Sequence, residues 1–119
     1  SWPHAVHEGQ RVNLEAVPPR ESGQREFVYV ADLPDGWCGV DDTRLGASLR
    51  LDFDLKVFPF VWLFLSYGGW RDAYTAVLEP CTNMPKDLSE AVRRGQSASL
   101  MPAQQFTTTV TVTLGEAQS

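Results

Sequence analysis

The sequence predicts a mainly antiparallel β-sandwich of about seven to nine strands, with one short helix near residues 87–94. Three observations lead to that class. Short runs of β-branched and aromatic residues recur, separated by turn residues such as "PDG" (34–36) and "YGGW" (67–70). The clearest of these runs, "ASLRLDFDLKVF" (47–58), alternates apolar and charged residues at the period of a strand. Only one segment, "DLSEAVRRG" (87–95), combines helical spacing with signals for both a start and a stop.

Taken in order, "RVNLEAV" (11–17) sets Val12, Leu14 and Ala16 against Asn13 and Glu15, the pattern of a half-buried strand. Pro18, Pro19 and "RESGQ" make a loop. "EFVYVADL" (26–33) and "WCGV" (37–40) are strands on either side of the "PDG" turn, and "DDTRLG" turns the chain again, with Asp41 and Asp42 read as turn residues. In 47–58, Leu49, Leu51, Phe53, Leu55 and Val57 point one way, while Arg50, Asp52, Asp54 and Lys56 point the other. A solvated charged row is the plain reading of the latter set, and a polar sugar groove the sharper one. After Pro59, "FVWLFL" (60–65) is apolar on both faces. "AYTAVLE" (73–79) is a further strand, "QSASLM" (96–101) a short one, and "QFTTTVTVTL" (105–114) a last one with a threonine row. In the helix, Asp87 is the N-cap, with Glu90 at capping-box spacing. Leu88, Ala91 and Val92 form the apolar stripe, and Arg93, Arg94 and Gly95 suit the end.

The 119 residues fit one domain, 1–119, with 43% hydrophobic and 21% charged residues, a globular balance. A net charge of −5 without a basic run argues against nucleic acid or an anionic membrane as partner. The apolar run "VFPFVWLFL" (57–65) is too short to span a bilayer and contains a proline. No signal-peptide pattern is seen. Cys38 and Cys81 lack CxxC spacing, and no phosphate loop, Ser/His/Asp order or metal-ligand spacing occurs. The expectation is a cytoplasmic protein with two reduced thiols and no metal or cofactor.

Glu79 is the residue that stands out. It is the only acid of an apolar strand and is followed at once by Pro80, which holds the residue before it in the extended region. A carboxylate fixed at a sheet rim can accept a proton from a hydroxyl. It can equally be a solvated strand-end acid.

The stretch "GGWRDAYTAVLEPCTNMPKDLSEAVRRGQSASLMPAQQFTTTVTV" resembles the C-terminal part of the aldose 1-epimerase (galactose mutarotase-like) family. "DLPDGWCGVDDTRLGASLRLDFDLKVFPFVWLF" resembles the segment before it in bacterial members. The most specific pieces are "LEP…N.P" and "FPFVWLF…GGW", and the likeness covers residues 26 to 114. The resemblance implies a large antiparallel sandwich with a sugar groove on one sheet. It implies that Glu79 is the base taking the proton of the anomeric hydroxyl, while a histidine protonates the ring oxygen. Family members are considerably longer and draw that histidine from their earlier part. His4 and His7, both in "SWPHAVHEGQ", are the histidines here, and His4, in "WPH", is the candidate acid. Trp70, Arg71, Asn83 and Tyr67 are the candidate sugar contacts. Trp62 sits in a run apolar on both faces and is read as core or interface; Trp37 can stack or pack.

Two functions are therefore expected in competition. One is an epimerase-like or carbohydrate-binding protein acting on a hexose-type sugar. The other is a non-catalytic, homo-oligomeric structural, interaction or small-ligand-binding protein. A homodimer is expected with residues 58–65 in or behind its interface, because a strand apolar on both faces needs cover on both.

Overall fold

The computed structural model describes residues 1–117, which form eight strands and one α-helix. The strands are β1 (His4–His7), β2 (Gln10–Asn13), β3 (Gln24–Val30), β4 (Trp37–Asp42), β5 (Ala47–Asp52), β6 (Phe60–Tyr67), β7 (Tyr74–Cys81) and β8 (Thr111–Glu116). The helix α1 is Leu88–Arg93, and a single 3₁₀ turn occupies Arg20–Ser22. Every strand pairing is antiparallel, in three sheets: β1–β2, β3–β6–β7 and β4–β5–β8. The mainly β, antiparallel class and the one short helix thus agree with expectation.

Several boundaries move, each for a local reason. The expected strand 11–17 ends at Asn13, because the Leu14 amide turns back to the Pro3 carbonyl (2.7 Å) and the Asn13 side chain accepts the Glu15 amide (2.9 Å). The long alternation 47–58 stops as a strand at Asp52. Beyond it the Asp54 carboxylate accepts the Lys56 amide (2.9 Å), and the Asp54 carbonyl accepts the Val57 and Phe58 amides. A short polar side chain that bonds its own backbone competes with a ladder. The strand carrying Glu79 runs past Pro80 to Cys81, so Glu79 is not its last residue. Pro80 is tolerated because β7 is an edge strand, where a missing N–H can face outward. Residues 96–101 form no strand, and the last strand begins at Thr111 rather than 105.

The helix starts and stops as read. The Asp87 carboxylate accepts the Glu90 amide (2.9 Å). At the other end Gly95, at φ 68°, gives its amide to Val92, and Gln96 gives its amide to Ala91, a full Schellman closure. Glu90 does not complete a capping box; it binds Arg93 and Arg94, which hold its carboxyl below the usual range. The expected stripe is narrower than read: Ala91 is fully buried, while Leu88 and Val92 are exposed.

β6 is central in its sheet, and its two apolar faces meet different surroundings. Val61, Leu63, Leu65 and Tyr67 point to one side and form the core with Phe53. Val28 and Val30 of β3, Ala76 and Leu78 of β7, and Leu14, Leu33, Cys38, Leu55 and Phe58 pack against that cluster. Burial pushes the Cys38 thiol up to about 11, with the nearby Asp52 carboxylate adding to it, so the group stays a protonated thiol at neutral pH. Phe60 and Phe64 are half-buried within the one chain.

The rest of the molecule is open. Its accessible surface is 8595 Å², against about 6,500 Å² for an ordinary folded monomer of this mass. Its radius of gyration is 16.0 Å, against about 13.5 Å for a compact domain of this length. Residues 98–116 are exposed throughout. All residues of β8 are exposed, Val112 and Leu114 among them at 59% and 78%. No helix among the described residues is long and apolar enough to cross a membrane.

Candidate functional site

The second face of the β3–β6–β7 sheet is built by register. Residues directly opposite in an antiparallel pair share a face. Tyr29, Trp62 and Glu79 make one row across the three strands; Phe27, Phe64 and Val77 make the next; Arg25, Ser66 and Thr75 make the third. The rings meet edge to face: Phe27 with Tyr29 (5.2 Å between centroids), Phe27 with Trp62 (6.0 Å) and Tyr29 with Trp62 (5.3 Å). Trp70 closes on Phe64 from the β6–β7 turn, at 5.5 Å and 88°. Phe27, Phe64 and Trp70, with His7, Arg25 and Lys86, line an open groove of about 480 Å³.

The turn that carries Trp70 is anchored. The Ser66 hydroxyl, fully buried, donates to the Ala73 carbonyl (2.8 Å) and lies 3.2 Å from the Trp70 amide, which it can accept. Gly69 gives its amide to the Gln24 carbonyl (3.2 Å), and a Cβ there would collide with that same backbone. Arg71 and Asp72 both hold positive φ, 48° and 55°, which sharpens the turn. The Arg71 guanidinium lies over the Trp70 ring at 4.8 Å.

At the other end, the segment 82–86 holds the Trp62 row. The Trp62 indole N–H donates to the Asn83 carbonyl (2.9 Å), the Asn83 side chain donates to the Pro85 carbonyl (3.2 Å), and the Lys86 amide donates to the Tyr29 hydroxyl (3.1 Å). The indole and phenol are thus oriented by backbone groups, which leaves their faces to pack or to stack.

The residues singled out from sequence fall in different places. Glu79 is exposed, opposite Trp62, and has no hydrogen-bond or ion-pair partner among the described residues. It lies one row away from the Phe64 against which Trp70 packs, so both belong to one face. Arg71 and Asn83 flank that face, Arg71 through Trp70 and Asn83 as the anchor of Trp62. Tyr67 is turned to the opposite side, 4% exposed in the core, with its phenol pushed up by burial. His4 lines a separate groove with Ser1, Trp2, Leu14 and Val28, and its Nδ1 is 3.1 Å from the Arg11 guanidinium. Trp37 lies on the other three-stranded sheet, under the Arg50 guanidinium (4.5 Å). Arg50 in turn binds Asp52 at 2.9 Å, so the charged row of β5 is a paired, exposed one.

The structure adds groups that sequence reasoning passed over. His7 stands at the groove, its Nδ1 3.3 Å from the carboxylate of Glu26, which is 8% exposed. Arg25, Phe27 and Tyr29 alternate in β3, and Trp62 and Phe64 in β6. That period-two pattern was visible in "REFVYV" and "FVWLFL"; what was missing was the face to which each set belongs.

Comparison of the chain with protein-family models, with curated proteins and with solved structures finds no match.

Proposed function

We propose that this chain binds a hexose-type monosaccharide on the aromatic face of the β3–β6–β7 sheet, as a galactose mutarotase-like sandwich does, with Glu79 as the base of an anomer exchange. One observation carries the reading. An exposed, unpaired carboxylate shares a sheet face with Tyr29, Phe27, Trp62, Phe64 and Trp70. The apolar C–H faces of a pyranose pack on such rings, and its hydroxyls need a nearby acceptor. The quoted resemblance to the aldose 1-epimerase family supports the same role for Glu79.

In the reaction, Glu79 accepts the proton of the anomeric hydroxyl while an acid protonates the ring oxygen. The bond between the anomeric carbon and the ring oxygen breaks, an open-chain aldehyde forms, and closure on the other face reverses both proton transfers. The imidazole on this side of the molecule is His7, oriented by Glu26; His4 lines the other groove. The protein is then an isomerase acting in the cytoplasm without a cofactor. Titration with galactose or glucose into the millimolar range should quench tryptophan emission saturably, through Trp62 and Trp70. Trp70→Ala should remove most of that change. No saturable change with either sugar would dismiss the reading.

A second reading rests on a different observation. The open β8 edge and the exposed Val112 and Leu114 leave more surface uncovered than a monomer usually does. The excess of about 2,000 Å² exceeds the roughly 800 Å² per partner that a stable interface needs. A two-fold homodimer through the β4–β5–β8 sheet would cover it. The expected interface at residues 58–65 is a separate surface: Phe60, Trp62 and Phe64 of that segment are half-buried, and Trp62 and Phe64 lie on the aromatic face. Sedimentation should show a dimer at micromolar concentration, and Leu114→Lys should shift it to monomer. A parent chain that sediments as a monomer would dismiss this arrangement.

A further inference from the structure

We infer that the groove on the sheet face that carries Glu79 selects an acidic monosaccharide, one carrying a carboxylate or a phosphate, over a neutral one. This deepens the sugar reading above and rests on it.

The groove is lined by Arg25, Lys86 and His7 around an apolar floor of Phe27, Phe64 and Trp70, and contains no acidic side chain. Neither Arg25 nor Lys86 has an ion-pair partner among the described residues, as is also true of Arg11, Arg44, Lys56 and Arg71, but Arg25 and Lys86 line one groove. Two cations with no acid beside them give the groove a positive lining on a chain of net charge −5. Both are held by the fold. Arg25 sits on β3 opposite Ser66, in the row beyond Phe27 and Phe64. Lys86 is fixed by the bond from its amide to the Tyr29 hydroxyl (3.1 Å).

The acids near by lie elsewhere. Glu26 is on the core side of β3 and is engaged by His7 at 3.3 Å. Glu79 is on the groove's face but at the far edge, one row along and on β7. The face thus carries a carboxylate on its β7 edge and Arg25 on its β3 edge two rows away, with Lys86 also lining the groove. A pyranose laid on Phe27 and Phe64 with its anomeric hydroxyl toward Glu79 can turn the substituent on C5, across the ring oxygen, toward Arg25 and Lys86. An anionic group there meets Arg25 and Lys86, and Arg offers a carboxylate or phosphate two parallel donors. A neutral hydroxymethyl group would leave both cations unanswered. In a partly desolvated groove such charge pairing discriminates by an order of magnitude or more.

The test compares glucose, glucuronate and glucose 6-phosphate by calorimetry at low ionic strength, with inorganic phosphate as a control. At least one acidic sugar should bind at least about tenfold more tightly than glucose, and Arg25→Gln/Lys86→Gln should bring that ratio close to one. Tighter binding of glucuronate identifies a carboxylate site, and of glucose 6-phosphate a phosphate site; either result supports the inference. Equal affinities for all three sugars, or a ratio unchanged in the double variant, would overturn it and leave the sugar reading standing. Inorganic phosphate binding as tightly as glucose 6-phosphate would overturn it as well, since the sugar would then contribute nothing. Binding of none of the three sugars would overturn both it and the function on which it rests.

Discussion

Leu63→Ala should unfold a large part of the population, or move the urea midpoint far down, at an expected loss of about 2–5 kcal/mol. Leu63 is 5% exposed at the middle of β6, directly between Val28 of β3 and Leu78 of β7. Removing its branched end takes contacts from the core cluster and leaves a void that three hydrogen-bonded strands cannot collapse to fill. The whole folding free energy of a chain this long is about 5–15 kcal/mol, and its fully buried core is small, so the fraction lost is high. Val112→Ala provides the contrast. That side chain is 59% exposed on β8, and its truncation should shift stability by no more than about 0.5 kcal/mol in a monomer. Equal shifts in the two variants, followed by tyrosine and tryptophan emission in urea, would mean that the core does not lie where β6 places it.

Glu79→Gln should lower any catalysed anomer exchange by a factor of about 10²–10⁴, the usual scale of a lost general base, with the urea midpoint unchanged. The amide keeps the size and hydrogen-bonding reach of the side chain but cannot take a proton. Glu79 is exposed and makes no ion pair among the described residues, so its replacement removes no fold-stabilising contact. Polarimetry on freshly dissolved α-galactose measures the rate directly. A parent that accelerates exchange and a Glu79→Gln variant that does so equally well would take the base role from this residue. A parent that binds sugar without accelerating exchange would make the site a binding site only.

The strands that were legible from sequence are those whose pattern and hydrogen bonding agree, such as "FVWLFL" and "AYTAVLE", and the helix marked by Asp87 and Gly95. What misled was alternation without a partner. "DFDLKVF" keeps strand period to Val57, but the Asp54 side chain and carbonyl bond the following amides and bend the chain after Asp52. "QFTTT" has β-forming residues, yet nothing pairs with it before Thr111. The same limit governs the site. Glu79 and Trp70 could be singled out because a proline and two glycines mark them. Tyr67 could not be told from a site residue, because a one-position change of parity decides whether a side chain meets the core or the groove. Arg25, His7 and Lys86 come together only through the β3–β6 register and the return of residues 82–86 over Tyr29. Neither is written in any local pattern.

The separation along the chain between β5 and β8 has a consequence for the order of assembly. The β6 and β7 strands are joined by a short anchored turn, whereas Asp52 and Thr111, partners at one end of the β5–β8 ladder, lie about sixty residues apart. Closing the longer loop carries about 2 kcal/mol more entropic penalty than closing the shorter one. With every side chain of β8 exposed, little burial offsets that difference. The β6–β7 hairpin therefore forms early, and β8 zips on afterwards, as a contact of high sequence separation does. By the same token β8 is the first strand to detach from the folded chain. Its amides exchange with solvent through a local opening far below the global unfolding energy, while those of β6 wait for the whole structure to open.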